Sequence, residues 1–379
     1  MRSQNVPTPR ISKDLCQAVE VSEMNIGEVL VKMYNRKASD LILKVDSPPL
    51  LRISGQLERM DVAPVTDQDT KNLVNNLMTK EQQEFFQQIS DLDLAVNVPN
   101  LARFRVSIFK QRNHLGLVFR LIPTAIPNMS ELGLPEICRE FARKERGLVL
   151  VTGPACSGKS TTVAAMVDYI NEKQECHIIT VEDPIEFLHT DKKSIINQRE
   201  VGKDTRSFSN AMKCLLREDP DVIVIGDMRD LETIDFAIVA AETGHLVLST
   251  LHTMDAVQTV DRIIDVFPEH AQRQIRLQLS SNLIGVISQI LLPSVDRSRM
   301  VLAPEIMVCT ASVRTLIREA KTHQLANVIQ TRAKEGMVSL NNSLAKLVKE
   351  NAVDKETALA NSPNAEELEG ILEIKEDKQ

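Results

Sequence analysis

Several features are scarce in this sequence, and each scarcity excludes a class of protein. The six cysteines form no C-x-x-C pair, which argues against a zinc site or a disulfide framework and suits a reducing compartment, so we expect all six to be reduced. No run of about 18 uncharged apolar residues occurs, and the N-terminal stretch lacks the apolar core of a signal peptide. The sequence therefore predicts neither a membrane span nor export, and we expect a cytoplasmic protein.

Positive charge is also in deficit. Lys and Arg number 45 against 52 Asp and Glu, which gives a net charge of -7. Broad binding to nucleic acid needs a surplus of basic residues that neutralise phosphates, so we expect no nucleic-acid partner. With 379 residues, of which 43% are apolar, the chain is long enough for two domains with sizeable cores.

The first third of the chain has the pattern of a small α+β domain. Residues 1–22 are polar, and we expect a mobile segment there. A helical stretch is predicted around 67–88. The predicted strands are 41–45, 50–53, 92–98, 103–109 and 115–122. Because Pro123 and Pro127 interrupt regular structure, we place this domain at 23–122 and a linker at 123–134.

The rest of the chain alternates between strands and helices. The predicted strands are 147–152, 177–182, 221–226 and 246–250, and the predicted helices between them are 160–171, 207–218 and 231–243. This alternation predicts a parallel sheet covered by helices on both faces, in a domain that we place at 135–355. We expect helices to dominate from about 268 to 350 and residues 356–379 to form an acidic tail.

A phosphate-binding motif lies at the start of this second domain. The stretch GPACSGKSTT matches G-x-x-x-x-G-K-[ST] between an apolar strand and a helix. In such a loop backbone N–H groups surround the phosphates, Lys159 reaches the outer phosphates, and the Ser160 hydroxyl binds Mg²⁺. The predicted nucleotide-binding residues are Gly153, Pro154, Ala155, Cys156, Ser157, Gly158, Lys159, Ser160 and Thr161.

Two further strands end in acids at the edge of the sheet where α/β folds bind ligands. The stretch IITVEDPIEF delivers Glu182, Asp183 and Glu186 there, and one of them is expected to hold Mg²⁺ unless the group is only a charged loop. The stretch VIVIGDMRD ends in Asp227, which is placed to act on the Mg²⁺ shell or to orient the attacking water. A P-loop with two such carboxylates predicts a hydrolysis site.

The other polar groups near these strand ends have simpler interpretations. Arg229 and Asp230 are expected to pair with each other on the surface. Residues seven apart on a strand lie on opposite faces and ~23 Å apart, so His245 and His252 cannot share one metal. Each is most simply a structural histidine, but His252 at the sheet end would also be able to sense the γ-phosphate by donating a hydrogen bond.

Five stretches of the sequence together resemble one family. They are GPACSGKSTT, ITVEDPIEF, DPDVIVIGDMRDLETI, TGHLVLSTLHT and ASVRTLIRE. In this combination the chain resembles the secretion-type hexameric ATPases, and most closely the type IV pilus retraction ATPases, from about residue 25 to 350. In that family the stretches are the Walker A, Asp-box, Walker B and His-box motifs and a retraction-linked motif. The last discriminates most, because pilus-assembly and type II secretion relatives share the other four.

The resemblance implies a fold and roles for particular residues. It implies a PAS-like α+β N-terminal domain followed by a RecA-like P-loop NTPase domain with a helical C-terminal portion, and ATP between them. Arginines of the first domain that would contact phosphates are Arg103, Arg105, Arg112 and Arg120. The residues alone indicate only a solvated strand face there. The resemblance also implies catalysis by Asp227 and Glu182, Mg²⁺ binding by Ser160 and Glu182, and coupling of nucleotide state to domain movement by His245 and His252.

Two residues of the site depart from the family pattern. The family's Walker B motif usually ends in Gly-Glu, but this chain has Gly226 and Asp227, whose carboxylate stands roughly an ångström further from the water. A misplacement of that size can cost ~10²-fold in rate. Cys156 occupies a P-loop position that is commonly Gly, which affects the backbone there and adds a thiol near a helix N-terminus.

The function that the resemblance implies is a hexameric ATP-hydrolysing motor that withdraws pilin subunits at the cytoplasmic side of the inner membrane, and so drives twitching motility. Its expected partners are an inner-membrane platform protein and a paralogous ATPase. One alternative is a weakly hydrolysing accessory ring subunit, which the two departures motivate. A pilus-assembly or type II secretion ATPase is a second alternative, although those relatives carry a four-cysteine metal site and a further N-terminal domain that we do not expect here. A nucleic-acid motor is a third, disfavoured by the acidic charge.

Overall fold

The computed structural model describes residues 25–53, 55–99, 101–122 and 126–373. The chain divides into two compact units, Met1–Ala125 and Ile126–Gln379, each with its own apolar core. The expected mobile segment at 1–22 and the first residues of the expected linker lie outside the described residues.

The first unit is an antiparallel sheet with helices on one face. Its helices are α1 (Ile26–Asn35), α2 (Asp67–Leu77) and α3 (Lys80–Ile89). Its strands are β1 (Asp40–Leu43), β2 (Leu50–Ile53), β3 (Gln56–Arg59), β4 (Asp91–Val98), β5 (Ala102–Gln111) and β6 (His114–Ile122), in the order β3-β2-β1-β6-β5-β4. Alternate residues of β5, from Ala102 to Ile108, are buried, as the period of two in a strand requires for a sheet with one solvated face.

The five strands predicted for this unit are confirmed, and two details differ. The single helical stretch predicted at 67–88 is two helices, because Thr79 begins a second one by accepting a hydrogen bond from the N–H of Gln82 in a capping box. Strand β3 was not predicted. All four of its residues are exposed, so it lacks the apolar alternation that reveals a half-buried strand.

The second unit is built around a seven-stranded sheet. Its strands are β7 (Gly147–Thr152), β8 (His177–Glu182), β9 (Ile195–Glu200), β10 (Val222–Ile225), β11 (Leu246–Leu251), β12 (Leu283–Pro293) and β13 (Met300–Val308). Their order is β13-β12-β7-β11-β10-β8-β9, parallel throughout except for β13 at one edge. The helices are α4 (Ile137–Ala142), α5 (Lys159–Lys173), α6 (Phe208–Leu215), α7 (Leu231–Glu242), α8 (Ala256–Asp265), α9 (Glu269–Asn282), α10 (Ala311–Arg318), α11 (Leu325–Thr331), α12 (Leu340–Lys349), α13 (Lys355–Ala360) and α14 (Ala365–Glu373).

The parallel sheet covered by helices is confirmed, and so are its four predicted strands. The prediction that helices dominate from 268 to 350 was wrong for 283–293 and 300–308, which are the paired strands β12 and β13. Strand β12 is a mostly apolar stretch of 11 residues, interrupted by Ser288 and Gln289, a length at which hydrophobicity alone does not separate a buried strand from a buried helix. It lies beside β7, the strand that leads into the P-loop motif.

The acidic C-terminal segment contains helices α13 and α14. Leu368 and Leu372 of α14 join a small apolar cluster with Leu292 of β12 and Leu344 of α12, so the segment packs on the second unit as far as residue 373. None of the helices in the described part of the chain combines the length and the apolar character needed to cross a membrane.

Candidate active site

The candidate site lies where four parallel strands end together. Strand β11 lies between β7 and β10, and β10 is followed by β8, all in parallel register. The chain leaves these strands at Thr152, Glu182, Ile225 and Leu251. Parallel strands meet at their carboxyl ends, which is why the P-loop, both acidic stretches and the second histidine of the sequence converge at one edge.

The P-loop depends on residues with positive φ. Gly153 and Gly158 have φ of 144° and 85°, a region that is open to glycine and strained for other residues. Cys156 is also left-handed, with φ of 62°, although it carries a Cβ. The family's usual glycine would adopt this conformation without that cost, which is of order 1–2 kcal/mol. Helix α5 begins at Lys159, directly after the second glycine.

The ammonium group of Lys159 is held by the loop and by the next motif. Its Nζ donates to the carbonyl oxygens of Gly153 (2.9 Å) and Pro154 (2.8 Å) and lies 3.4 Å from Nδ1 of His252. Burial lowers the pKa of Lys159, and the nearby negative charges of Asp227, Cys156 and Glu186 act in the opposite direction. A bound phosphate would compete with the carbonyl oxygens of Gly153 and Pro154 for the ammonium group of Lys159.

Asp227 is fixed by the residues on either side of it. The N–H of Gly226 donates to the carbonyl of Val181 (2.9 Å), and that of Met228 donates to the carbonyl of Thr250 (3.0 Å). A Cβ at Gly226 would lie 3.2 Å from the Cα of Glu182, a tight contact that favours glycine there. The backbone that carries Asp227 is therefore tied to both neighbouring strands.

The two oxygens of the Asp227 carboxylate differ. Oδ2 accepts from Nε of Arg229 (2.6 Å) and lies 3.0 Å from Nε2 of His252. Oδ1 is buried and has no hydrogen-bond partner among the described residues. A buried carboxylate oxygen without a partner is costly, so this atom would gain stability from a hydrogen-bond donor or a cation that reached it.

The expected pairing of Arg229 with Asp230 was wrong. Arg229 donates to Asp227, and Asp230 is the N-cap of α7, where its carboxylate accepts from the N–H of Thr233 (2.9 Å) in a capping box. The sequence carried the signal for this cap, because an aspartate directly precedes a helical stretch.

His252 connects the P-loop lysine to Asp227. A lysine ammonium only donates, so Nδ1 of His252 is the acceptor toward Lys159, and Nε2–H donates to Asp227. His245 lies at the other end of β11, where Nδ1 is 3.0 Å from the carbonyl of Ala240 and 3.3 Å from Oγ1 of Thr243. The structure therefore places the two histidines at opposite ends of β11.

Glu182 and Glu186 occupy different positions in the second acidic stretch. Oε1 of Glu182 accepts from Oγ1 of Thr180 (2.6 Å) and from Nε2 of Gln198 (3.2 Å). Burial raises the pKa of Glu182, while these hydrogen bonds and one from the N–H of Glu186 hold it down. Glu186, in contrast, acts on the pKa of Lys159 through its charge. Sequence reasoning missed Thr180 and Gln198, and only strand pairing brings the latter to Glu182.

The four arginines predicted to contact phosphate lie in the first unit. Arg103 and Arg105 are two residues apart on β5, and Arg120 of β6 pairs directly with Arg105, so the three share the face opposite the buried Phe104 and its neighbours. Nη2 of Arg105 donates to Asp93 (2.7 Å), and Nε of Arg120 donates to Asp40 (2.8 Å). The fourth, Arg112, is exposed, has a left-handed backbone conformation and directly follows β5.

The residues present suit Mg²⁺ bound with a nucleotide. Among the described residues no three His, Cys, Asp or Glu side chains form a metal-binding group. A P-loop site does not need one, because Mg²⁺ is held there by one hydroxyl, one carboxylate and the phosphates themselves. Ser160 in the first turn of α5 supplies the hydroxyl, and the unpartnered Oδ1 of Asp227 fits the acidic requirement.

Fold and site together define a P-loop ATPase with a RecA-like second domain. Residues 20–370 match the family model described as type II/IV secretion system protein. The chain is 46% identical to the type IV pilus retraction ATPase PilT of Pseudomonas aeruginosa, over 88% of this chain and 97% of that protein. It is also 46% identical to a twitching motility protein of Neisseria gonorrhoeae, over 84% and 86%.

A solved structure agrees with these matches. A crystal structure of the pilus retraction motor PilT with bound ADP superposes with a TM-score of 0.84 at 43% identity, covering 92% of this chain and all of that one. The chain therefore belongs to the type II/IV secretion system protein family, and the resemblance to that family of ATPases is confirmed.

Proposed function

We propose that this chain is an ATP-driven motor that powers type IV pilus retraction, working as a ring of six copies. The observation that carries the chemistry is Asp227, held at the end of β10 with one buried oxygen unpartnered, within reach of the P-loop lysine through His252. The direction of force rests on the similarity to two proteins named for pilus retraction and twitching motility. In this proposal residues 23–122 and 135–355 act as the two domains.

Each residue of the site has a part in ATP hydrolysis. Loop N–H groups and Lys159 would bind the phosphates, and Ser160 and Asp227 would hold Mg²⁺, which would neutralise charge on the outer phosphates. Asp227 also orients the attacking water through Oδ1, the oxygen that nothing else occupies. His252 links nucleotide binding to Asp227. A phosphate that binds Lys159 would move its ammonium group away from the loop, and this would change the contact that Nδ1 of His252 makes with it.

Glu186 is, after Asp227, the second carboxylate that we propose to act in hydrolysis. Glu182, the residue predicted from the sequence to bind Mg²⁺, has an oxygen already bonded by Thr180 and Gln198 and a pKa raised by burial, so it braces the loop that carries Glu186. The charge of Glu186 reaches Lys159. Replacement of Glu186 by Gln is expected to lower kcat, whereas Glu182→Gln is expected to lower stability more than kcat. The opposite result would return the catalytic role to Glu182.

The first test is steady-state ATP hydrolysis by the purified oligomer. We expect turnover by the wild type, loss of it in Lys159→Ala and Asp227→Asn, and normal turnover in Asp235→Asn, an exposed aspartate on α7 that serves as the matched control. If the wild type is as inactive as Lys159→Ala and Asp227→Glu restores activity, the accessory-subunit alternative replaces a self-sufficient motor, because the missing methylene is then the defect.

The second test concerns assembly and direction. Light scattering is expected to give six copies per particle. In the source bacterium, Lys159→Ala is expected to leave cells with pili that do not retract. Cells without pili would instead indicate an assembly ATPase. The proposed partners are an inner-membrane platform protein, which places the ring at the cytoplasmic side of that membrane, and a paralogous ATPase. Co-purification of the platform protein with the wild-type ring tests the first.

The four arginines of the first unit are proposed to contact the phosphates of the nucleotide, and His245 is proposed to couple nucleotide state to domain movement. Arg105 and Arg120 would have to exchange their partners Asp93 and Asp40 for phosphate. Replacing each arginine singly by glutamine, and measuring KM for ATP beside kcat, tests this. Unchanged values in all four would leave the arginines as an ordinary charged face of the sheet.

A further inference from the structure

One buried residue outside all five sequence motifs contacts the P-loop at three points. Gln289 lies on β12, one residue after Ser288, which pairs with Thr152 at the end of β7. The whole residue is 1% exposed. Because β12 neighbours the strand that leads into the P-loop, its backbone and its side chain both face the loop.

The side chain of Gln289 joins the loop to the helix that follows it. Its Nε2 donates to the carbonyl oxygen of Ser157 (2.7 Å), and its Oε1 accepts from Oγ1 of Thr162 (2.9 Å). Thr162, in the first turn of α5, is also buried. An amide with a donor at one end and an acceptor at the other is the group that can serve both partners at once.

The backbone of the same residue packs on the start of the loop. A Cβ at Gly153 would lie 2.2 Å from the carbonyl oxygen of Gln289, and one at Gly158 would lie 3.3 Å from its Nε2. Both glycines of the motif are therefore in close contact with this residue. The close approach explains the requirement for glycine at position 153 in addition to its positive φ.

The bond to Ser157 determines the direction of a loop N–H. In a trans peptide the C=O and the following N–H point in opposite directions, and the peptide between Ser157 and Gly158 is trans, since Asp183–Pro184 is the one cis bond among the described residues. With its carbonyl directed at Gln289, this peptide must point the N–H of Gly158 away from β12. Backbone N–H groups at the start of a helix are the groups that bind phosphate in such loops.

We propose that Gln289 is a positioning residue of the nucleotide site: it orients the peptide between Ser157 and Gly158 and ties it to Thr162, so that the loop presents its N–H groups to phosphate before nucleotide binds. This inference rests on the proposed nucleotide site and adds to it a residue that touches neither substrate nor metal. Preorganised loop donors increase affinity because less conformational freedom is lost on binding.

The test replaces Gln289 by methionine, which keeps the length of the side chain and removes both hydrogen bonds. We expect the dissociation constant for ADP, measured by calorimetry, and the KM for ATP to rise about tenfold, the effect of losing one to two kcal/mol of loop organisation. We expect kcat to stay within about twofold, because phosphate binding is weakened in the ground state and the transition state alike. Binding of AMP, which lacks the outer phosphates, should change less than binding of ADP.

The matched control is Ile287→Val, a buried change on the same strand that belongs to the apolar core and not to the loop. Ile287→Val is expected to lower stability without a change in ADP affinity. If Gln289→Met changes ADP affinity no more than this control does, Gln289 is a structural residue only and the inference is wrong.

A second variant keeps the test valid if Gln289→Met does not fold. Thr162→Val removes the hydroxyl that donates to Oε1 and is expected to weaken ADP binding by less, because the bond from Nε2 to Ser157 remains. Where both fold, their effects on ADP affinity should be non-additive, and simple additivity would contradict a shared role. A wild type that binds ADP without hydrolysing ATP would overturn the motor proposal, while the ADP measurements would still decide the role of Gln289.

Discussion

Removing the charge of Glu305 is expected to change how stability depends on pH. Glu305 lies on β13 opposite Ser288, and its Oε1 accepts from the N–H of Ala256, the first residue of α8 (2.9 Å). Burial raises the pKa of Glu305 from 4.5 to about 7; the N–H of Ala256 opposes this rise, and the charge of Asp255 adds to it. Replacement by Gln keeps an oxygen for that N–H and removes the ionisation.

The sign follows from which state holds the proton. Between pH 4.5 and about 7 the folded chain keeps a proton on Glu305 that the unfolded chain has released, so stability falls as pH rises through this window and levels off above it. At 1.36 kcal/mol per pH unit the whole effect is roughly 3 kcal/mol. From pH 5 to pH 8, Glu305→Gln should therefore gain roughly 2–3 kcal/mol relative to the wild type.

Urea unfolding at several pH values measures this difference. The chain has no tryptophan, so circular dichroism is the suitable probe, with hydrogen exchange in β13 to report on the second unit. The exposed Glu369 supplies the control, and Glu369→Gln should follow the wild type at every pH. Parallel profiles of Glu305→Gln and the wild type would refute the reasoning, because the carboxyl would then titrate as it does in the unfolded chain.

Three further variants test the packing that supports the site. Asp230→Ala should cost about 1 kcal/mol in urea unfolding, since it removes the N-cap of α7; no loss would mean that the cap is dispensable. Gly285→Ala places a Cβ 2.4 Å from the ring of Phe141 and should destabilise the folded protein by about 1–3 kcal/mol. The control Gly370→Ala, whose Cβ would have no atom within 4 Å, should be neutral or slightly stabilising. Equal effects of the two variants would contradict this. Leu368→Ala should cost about 2–5 kcal/mol, because the side chain is fully buried; a smaller loss of thermal stability would show that α14 is not firmly packed.

Patterns within single elements predicted most of the fold. The strands that were predicted between 41–45 and 246–250 have apolar residues that alternate or run together between turn residues, and such patterns are local. Strand β9 (Ile195–Glu200) was not predicted, because most of its residues are polar. Strands β12 and β13 were missed because a mostly apolar stretch, such as the 11 residues of β12, fits either a strand or a helix. Only the pairing of β12 with β7 and of β13 with β12 decides. The exposed β3 was missed because its pairing with β2 leaves no hydrophobic trace in the sequence.

The sequence by itself predicted the residues of the phosphate site, since the spacing of the P-loop and the acids that end two strands are read along the chain. Only the tertiary structure decided their partners. In the folded chain Arg229 donates to Asp227 and not to Asp230, and His252 contacts Lys159. Glu182 accepts from Thr180 and Gln198. Gln289 donates to Ser157 of the P-loop. The physical reason is that a hydrogen bond depends on position in space, and the adjacent strands β7 and β12 bring together residues that are up to 136 positions apart in the chain.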